Sequence, residues 1–197
     1  MPASLSPASH PDDSPAPSFV TILAVAEGLS DDLLLRLRKG DDDAWARFYD
    51  AVAGDIRTYV ARIGAVSPDD TLGETMVQVV RSLSGFRGTS ADLRPWAFRI
   101  ARNRVIDDGR RRSRRPTLTA LSDANEPTVD GPEYALSGDL SAMLVGLTPD
   151  QRDAVWLRHV VGLSVEETAA VMDRAADAVA ALTHRALRRL RAGLEQS

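Results

Sequence analysis

The 197-residue sequence has no cysteine, which excludes disulfides, thiolate zinc sites and a catalytic cysteine. Lysine is nearly missing too. Of the 24 basic residues only Lys39 is lysine, so positive charge is carried by arginine, whose planar fork suits phosphate and guanine. No stretch approaches the roughly 18 to 20 consecutive apolar residues of a membrane span, and Met1 to Ser18 has neither the basic start nor the apolar core of a signal peptide. A cytoplasmic protein is therefore expected. No segment alternates apolar and polar residues with a period of two, so no strand is expected. There is no phosphate-cradling G-x-x-x-x-G-K-[ST] loop, no dinucleotide fingerprint after a strand and no nucleophile elbow. The histidines at 10, 159 and 184 lack metal spacing, and Asp41-Asp42-Asp43 reads as a helix start with a solvated face. Neither an enzyme, nor a cofactor, nor a metal site is expected.

The net charge of −4 argues at first against a nucleic-acid partner, because binding phosphates needs a basic surface. Its distribution reverses the argument. Residues 1–80 carry −7, 81–115 carry +8, 116–173 carry −8 and 174–197 carry +3. Two basic blocks alternating with two acidic ones point to partners of opposite demand.

Met1 to Ser18, with five prolines and almost nothing apolar, reads as a disordered tail that extends to residue 29. Ser30-Asp31-Asp32 starts a helix that Gly40 ends. From Asp42 to Ile63 the residues Trp45, Phe48, Tyr49, Val52, Ile56, Tyr59, Val60 and Ile63 recur three and four apart, which predicts an amphipathic helix. Ser67-Pro68 opens a third helix ending near Gly85, and a glycine-flanked loop leads to a fourth from Pro95 to about Arg112. Residues 116–139, proline-rich and acidic, read as a flexible linker. Thr148-Pro149-Asp150-Gln151 and Ser164-Val165-Glu166-Glu167 are capping boxes that open two more helices, the second short. A turn at Asp173 to Ala176 then precedes a longer helix from about Asp177 to Leu194. The fold expected is all-α: two small helical domains joined by a flexible acidic linker, the second a helix-turn-helix.

In a helix-turn-helix the second helix enters the DNA major groove. Val179, Leu182, Ala186 and Leu190 are the expected buried face, packing on Thr168, Ala169 and Met172; Asp177, Ala181, His184, Arg185, Arg188 and Arg189 form the opposite face. A structural hairpin with a solvated charged face would fit the same spacing. In the first domain Arg94, Arg99, Arg102, Arg104, Arg110 and Arg111 recur at spacings that line a helix and track a phosphate backbone. Phe86, Trp96 and Phe98 lie at the glycine-flanked loop, and aromatics beside a basic groove hold unstacked bases of single-stranded DNA. The alternative for Trp96 and Phe98 is a place in the core. The loop itself, with Arg87 and Gly88, is then the better candidate for base contacts.

These residues carry a resemblance. Phe86-Arg87-Gly88 with Trp96-Ala97-Phe98-Arg99-Ile100-Ala101-Arg102-Asn103-Arg104-Val105-Ile106-Asp107 and the following arginines resembles region 2 of extracytoplasmic-function (ECF) sigma factors, promoter-specificity subunits of bacterial RNA polymerase. Asp69-Asp70-Thr71-Leu72-Gly73-Glu74-Thr75-Met76 is similar to the preceding acidic helix of that family. Leu147 to Arg158, Gly162 to Ala169 and His184 to Arg191 resemble region 4. The resemblance covers about residues 30–115 and 140–194.

The resemblance implies a region 2-like domain at 30–115 and a region 4-like domain at 140–197, about the linker 116–139. Asp69, Asp70, Gly73, Glu74, Met76 and Val77 would face the clamp helices of the polymerase's largest subunit, and the second domain its flap. The loop 85–93 would capture an unstacked base of the −10 element, with Phe86, Arg87, Gly88, Arg94, Trp96, Arg99, Arg102, Asn103, Arg110 and Arg111 along that single strand. Asp177, Ala181, Thr183, His184, Arg185 and Arg188 would meet the double-stranded −35 element. An anti-sigma factor is a further partner class, which the residues neither mark nor exclude. The expected function is an alternative sigma factor that binds core polymerase, directs it to promoters and promotes melting. The rival is a free-standing helix-turn-helix regulator of duplex DNA, which leaves the basic loop and helix at 85–115 without a use. The chain departs from the family pattern at Gly73, where glutamine is usual, at Asp173, where the turn usually has glycine, and at Thr168, where isoleucine is common.

Overall fold

A computed structural model describes residues 31–114 and 146–194. The tail and linker expected from composition lie outside the described residues. Within them are seven α-helices and no strand: α1 Asp31–Arg38, α2 Asp42–Arg62, α3 Pro68–Ser82, α4 Leu93–Arg114, α5 Pro149–His159, α6 Val165–Met172 and α7 Ala176–Leu194, with a single 3-10 turn at Leu83–Gly85.

Each boundary has a local cause. Gly40 takes φ 75° after α1, a conformation open to a residue without Cβ. Asp41 then caps α2 by accepting from the Ala44 amide at 2.9 Å. The Arg36 guanidinium, bonded to the same carboxylate at 2.9 and 3.0 Å, clips α1 to α2 and holds Asp41 below the usual carboxylate range, helped by the Ala44 amide. Ser67 caps α3, with Pro68 in its first turn. Both expected capping boxes are formed, by Thr148 with Gln151 and by Ser164 with Glu167.

The first four helices surround Phe48, Val52, Ile56, Tyr59 and Val60 of α2, Leu72 and Val79 of α3, and Leu93, Phe98 and Val105 of α4. Tyr49, expected in the stripe of α2, is exposed instead. Helix α4 begins two residues before the expected Pro95, because Leu93 is fully buried and the Trp96 amide already bonds to the Asp92 carbonyl at 3.0 Å. Its inner face alternates large residues, Leu93, Phe98 and Val105, with the small Ala97 and Ala101.

In the second unit α5, α6 and α7 pack around Leu157, Val161, Leu163, Val171, Met172, Val179 and Ala186. Leu182 is only partly buried. Asp173 adopts the left-handed conformation (φ 54°, ψ 53°) between α6 and α7, the turn that its side chain tolerates better than most. Thr168 is fully buried and its hydroxyl has no hydrogen-bond partner.

The two units do not stand apart. Helix α4 packs directly on α6, and one continuous apolar cluster runs through both. No described helix is long and apolar enough to cross a membrane.

Candidate nucleic-acid interface

The loop between α3 and α4 is fixed by contacts from every side. Phe86 is buried and its ring lies 4.7 Å from that of Trp96, tilted 40°. The Arg38 guanidinium donates to the Phe86 carbonyl at 2.9 Å, and the Leu34 amide donates to the hydroxyl of buried Ser90 at 3.3 Å, so α1 clasps both ends of the loop. Asp92 closes it by accepting from the Thr89 amide at 2.8 Å and the Thr89 hydroxyl at 2.7 Å. These two donors keep its carboxyl below the ordinary aspartate range. Gly88 is wedged between them, where a Cβ would lie 2.5 Å from Phe86 Cζ and 2.9 Å from Asp92 Cβ. The backbone is thus preorganised, leaving Arg87, Thr89 and Ala91 exposed at its tip.

Arg99 lies beside this loop, and Asn103, Arg110 and Arg111 follow it along α4, all exposed, the last two paired with Asp107 and Asp108 of the same helix. The other residues expected on the strand sit differently. Phe86 is a buried strut, and Trp96, half-buried, supports it. Arg94 has a side chain only 14% exposed, bonded to Asp55 at 2.7 Å and placed over the Phe98 ring. Arg102 is 11% exposed, since it falls on the side of α4 that meets α5 and bonds Asp153 at 2.6 Å. Phe98 is fully buried, the core alternative considered for it.

On α7, Asp177, His184, Arg185 and Arg188 are exposed and Ala181 half-exposed. Thr183 is turned inward: it is buried and its hydroxyl donates to the Val179 carbonyl at 3.0 Å. A helix positions residues three and four apart on one side, so Thr183 shares the inner side with Val179 and Ala186. On α3, Asp69, Asp70, Gly73, Glu74 and Val77 are exposed, while Met76 packs partly on the core. Asp69 pairs with Arg57 at 2.6 Å and Glu74 with Arg104. With Val77 and Val80 outward, α3 offers a mixed acidic and apolar face of the kind protein partners use.

Residues 44–115 match the family model of Sigma-70 region 2, and residues 137–190 that of Sigma-70, region 4. The probable RNA polymerase sigma-C factor of Mycobacterium bovis is 33% identical over 144 residues, covering 71% of this chain and 77% of that protein. The chain belongs to the ECF family of RNA polymerase sigma factors. It is an alternative sigma factor that directs RNA polymerase to promoters, and the rival of a free-standing regulator accounts for the second match alone. The ECF RNA polymerase sigma factor BldN of Streptomyces coelicolor is 32% identical over 167 residues; this sigma factor spans 63% of BldN's length. Two solved structures share the fold: CnrH in complex with the cytosolic domain of CnrY (TM-score 0.61, 20% identity, 86% of this chain and 99% of that one) and the sigma factor RpoE of Bartonella quintana in complex with the anti-sigma factor NepR (TM-score 0.58, 23% identity, 76% and 96%).

Sequence reasoning missed one polar cluster of the sigma factor. Asp153 of α5, only 8% exposed, receives the Tyr59 hydroxyl at 2.5 Å as well as Arg102. Burial, reinforced by the Asp153 carboxylate, pushes the Tyr59 hydroxyl well above the usual tyrosine range. Nearby, Arg62 of α2 stacks 4.9 Å over buried Trp156. The available signal was Asp153 itself, an acid next to Ala154 and three before Trp156 on the apolar side of its helix.

Proposed function

We propose that this sigma factor holds the single-stranded −10 element on the loop 86–92 and the exposed edge of α4, and the double-stranded −35 element on α7. Arg87, Arg99, Asn103, Arg110 and Arg111 carry the strand's phosphates, and the loop tip takes an unstacked base. Arg185, Arg188 and His184 meet the −35 duplex. The alanines at 175, 176, 178, 180 and 181 offer few hydrogen bonds to base edges, so affinity there rests on phosphates. Core RNA polymerase meets α3 through its largest-subunit clamp helices, and the second unit through its flap. The domains divide as residues 30–115 and 140–197 about a linker at 116–139. The factor works in the cytoplasm, catalyses no reaction itself and needs no cofactor.

The observation that carries this reading is the loop, whose Gly88 wedge, Asp92 staple and two clasps from α1 hold exposed polar groups in a fixed shape beside α4. Run-off transcription with core polymerase over host genomic fragments tests it. Transcripts that require the factor are expected. Arg99→Ala should lower open-complex formation by about ten- to a hundredfold, the loss of one charge-assisted contact of about 1.5–3 kcal/mol, with core binding unchanged; equal loss of both would overturn the assignment.

A further inference from the structure

The end of α4 carries a hydroxyl among its arginines. Ser113 follows Arg110-Arg111-Arg112 and precedes Arg114-Arg115, so arginine stands on both sides of it. Residues 110–114 are all exposed, and this stretch of the helix buries no side chain. The Ser113 hydroxyl donates to the Gly109 carbonyl at 3.0 Å, a bond within its own helix. Residues three and four apart share a side of a helix, so Ser113 stands over Gly109 and beside Arg110. Nothing lies within 4 Å of where a Cβ of Gly109 would be, which leaves room there for a larger group. A glycine inside a helix also weakens it, so the turn beyond it unwinds readily. The arginines are held loosely: Arg110 meets Asp107 at 3.6 Å and Arg111 meets Asp108 at 3.3 Å, pairs between exposed side chains that contribute little. Other hydroxyls are committed to the fold. Ser67, Thr148 and Ser164 cap helices, Ser90 is buried, and Thr89 is bound to Asp92.

We propose that Ser113 is a phosphoacceptor for an arginine-directed serine kinase, and that the phosphate releases the end of α4 from DNA. A kinase of that class reads guanidinium forks beside the acceptor with its own carboxylates. The Ser113 oxygen attacks the γ-phosphorus of ATP, the hydroxyl proton passes to the kinase's base, the bond from that phosphorus to the β–γ bridging oxygen breaks, and ADP leaves. The product carries a charge of about −1.5 to −2 at neutral pH and three strong acceptor oxygens. It has no proton left to donate, so the bond to the Gly109 carbonyl is lost. In the last turn it also opposes the helix dipole. Its oxygens take Arg110 from Asp107 and, as the turn loosens, draw in Arg114. Arginines that would meet phosphates of the −10 strand then meet this phosphate instead. The effect on DNA rests on the −10 role proposed for α4; the acceptor site does not.

Two measurements on the full-length chain test the proposal. Incubated with ATP and a soluble extract of its host, the chain should gain phosphate on Ser113 by peptide mass spectrometry, as should chain recovered from host cells. Ser113→Ala should lose that phosphopeptide. Absence of phosphate on Ser113 from both sources, in growing, stationary and stressed cultures, overturns the acceptor site. The consequence is read on chain made with phosphoserine encoded in place of Ser113, titrated with a fluorescent random-sequence 15-nucleotide single-stranded DNA. Its affinity should fall by about tenfold or more, as when a charge-assisted contact is lost. The slope of log K against log salt should become shallower by about 1.4, two single-strand phosphate contacts at about 0.7 each. Ser113→Ala should bind as the parent does, which separates the added charge from loss of the hydroxyl. Binding to core polymerase should stay unchanged in every case, because α3 is untouched. Parental DNA affinity in the phosphoserine chain overturns the release from DNA. Failure of the underlying −10 reading has a separate signature: Arg99→Ala and Arg110→Ala would then leave DNA binding of the unmodified chain unaltered.

Discussion

Gly88 occupies a position where a methyl group has no room. An added Cβ would meet Phe86 Cζ at 2.5 Å and Asp92 at 2.9 Å, and neither neighbour can yield freely. Phe86 is pinned by Trp96 and, through its carbonyl, by Arg38; Asp92 is pinned by two bonds to Thr89. Gly88→Ala must therefore shift the loop, at the cost of about 1–3 kcal/mol typical of overpacking. Calorimetry should show a lower Tm, and permanganate footprinting should show promoter melting lost at polymerase-binding levels that remain normal. Normal melting would mean that the loop shape is not what holds the strand. Gly88 was legible as a loop glycine beside aromatics and arginines, but its close packing between Phe86 and Asp92 was not. That Phe86 turns inward was not, because a lone aromatic in a loop carries no periodicity to reveal its side.

At the scale of elements, the capping residues were the most readable part of the chain. Thr148, Ser164 and Ser67 each satisfy a backbone donor that only a short polar side chain can reach, so their meaning is local and survives without knowledge of the fold. Helix α4 was harder. Its buried side includes Ala97 and Ala101 among Leu93, Phe98 and Val105, and the alanines contribute little to a hydrophobic pattern yet permit close packing. Helix α6 shows the opposite case, a position where the sequence marks a weakness. Thr168 has no exposure and its hydroxyl has no partner, and an unpaired buried polar group costs about 1–3 kcal/mol. Thr168→Val keeps the shape and removes the oxygen. It should raise stability by about 1–2 kcal/mol in urea unfolding with an unchanged slope, while run-off transcription stays at the level of the parent. A destabilised variant would show that the hydroxyl is satisfied in solution.

For the molecule as a whole, the packing of the two units is what the sequence concealed: beside the apolar cluster they share, it is marked by polar contacts between distant residues. An aspartate, an arginine and a tyrosine from three helices have no shared spacing, and each is unremarkable alone. Together they make the contact between the units titratable at its alkaline side. Tyr59 is raised well above the usual tyrosine value by burial and by Asp153, opposed in part by Arg102. A group whose pKa is raised on folding contributes stability that is complete below its unfolded value, about 10, and is lost as pH rises through the folded value. Ionised Tyr59 would place a second anion against Asp153, and the two units would part. Absorbance at the tyrosinate band should show a late stage, above the usual tyrosine range, that Tyr59→Phe removes. Small-angle scattering on the same samples should show the radius of gyration growing with that late stage only. Late ionisation at constant radius would mean that the apolar cluster shared by the two units, rather than the bond from Tyr59 to Asp153, holds them together.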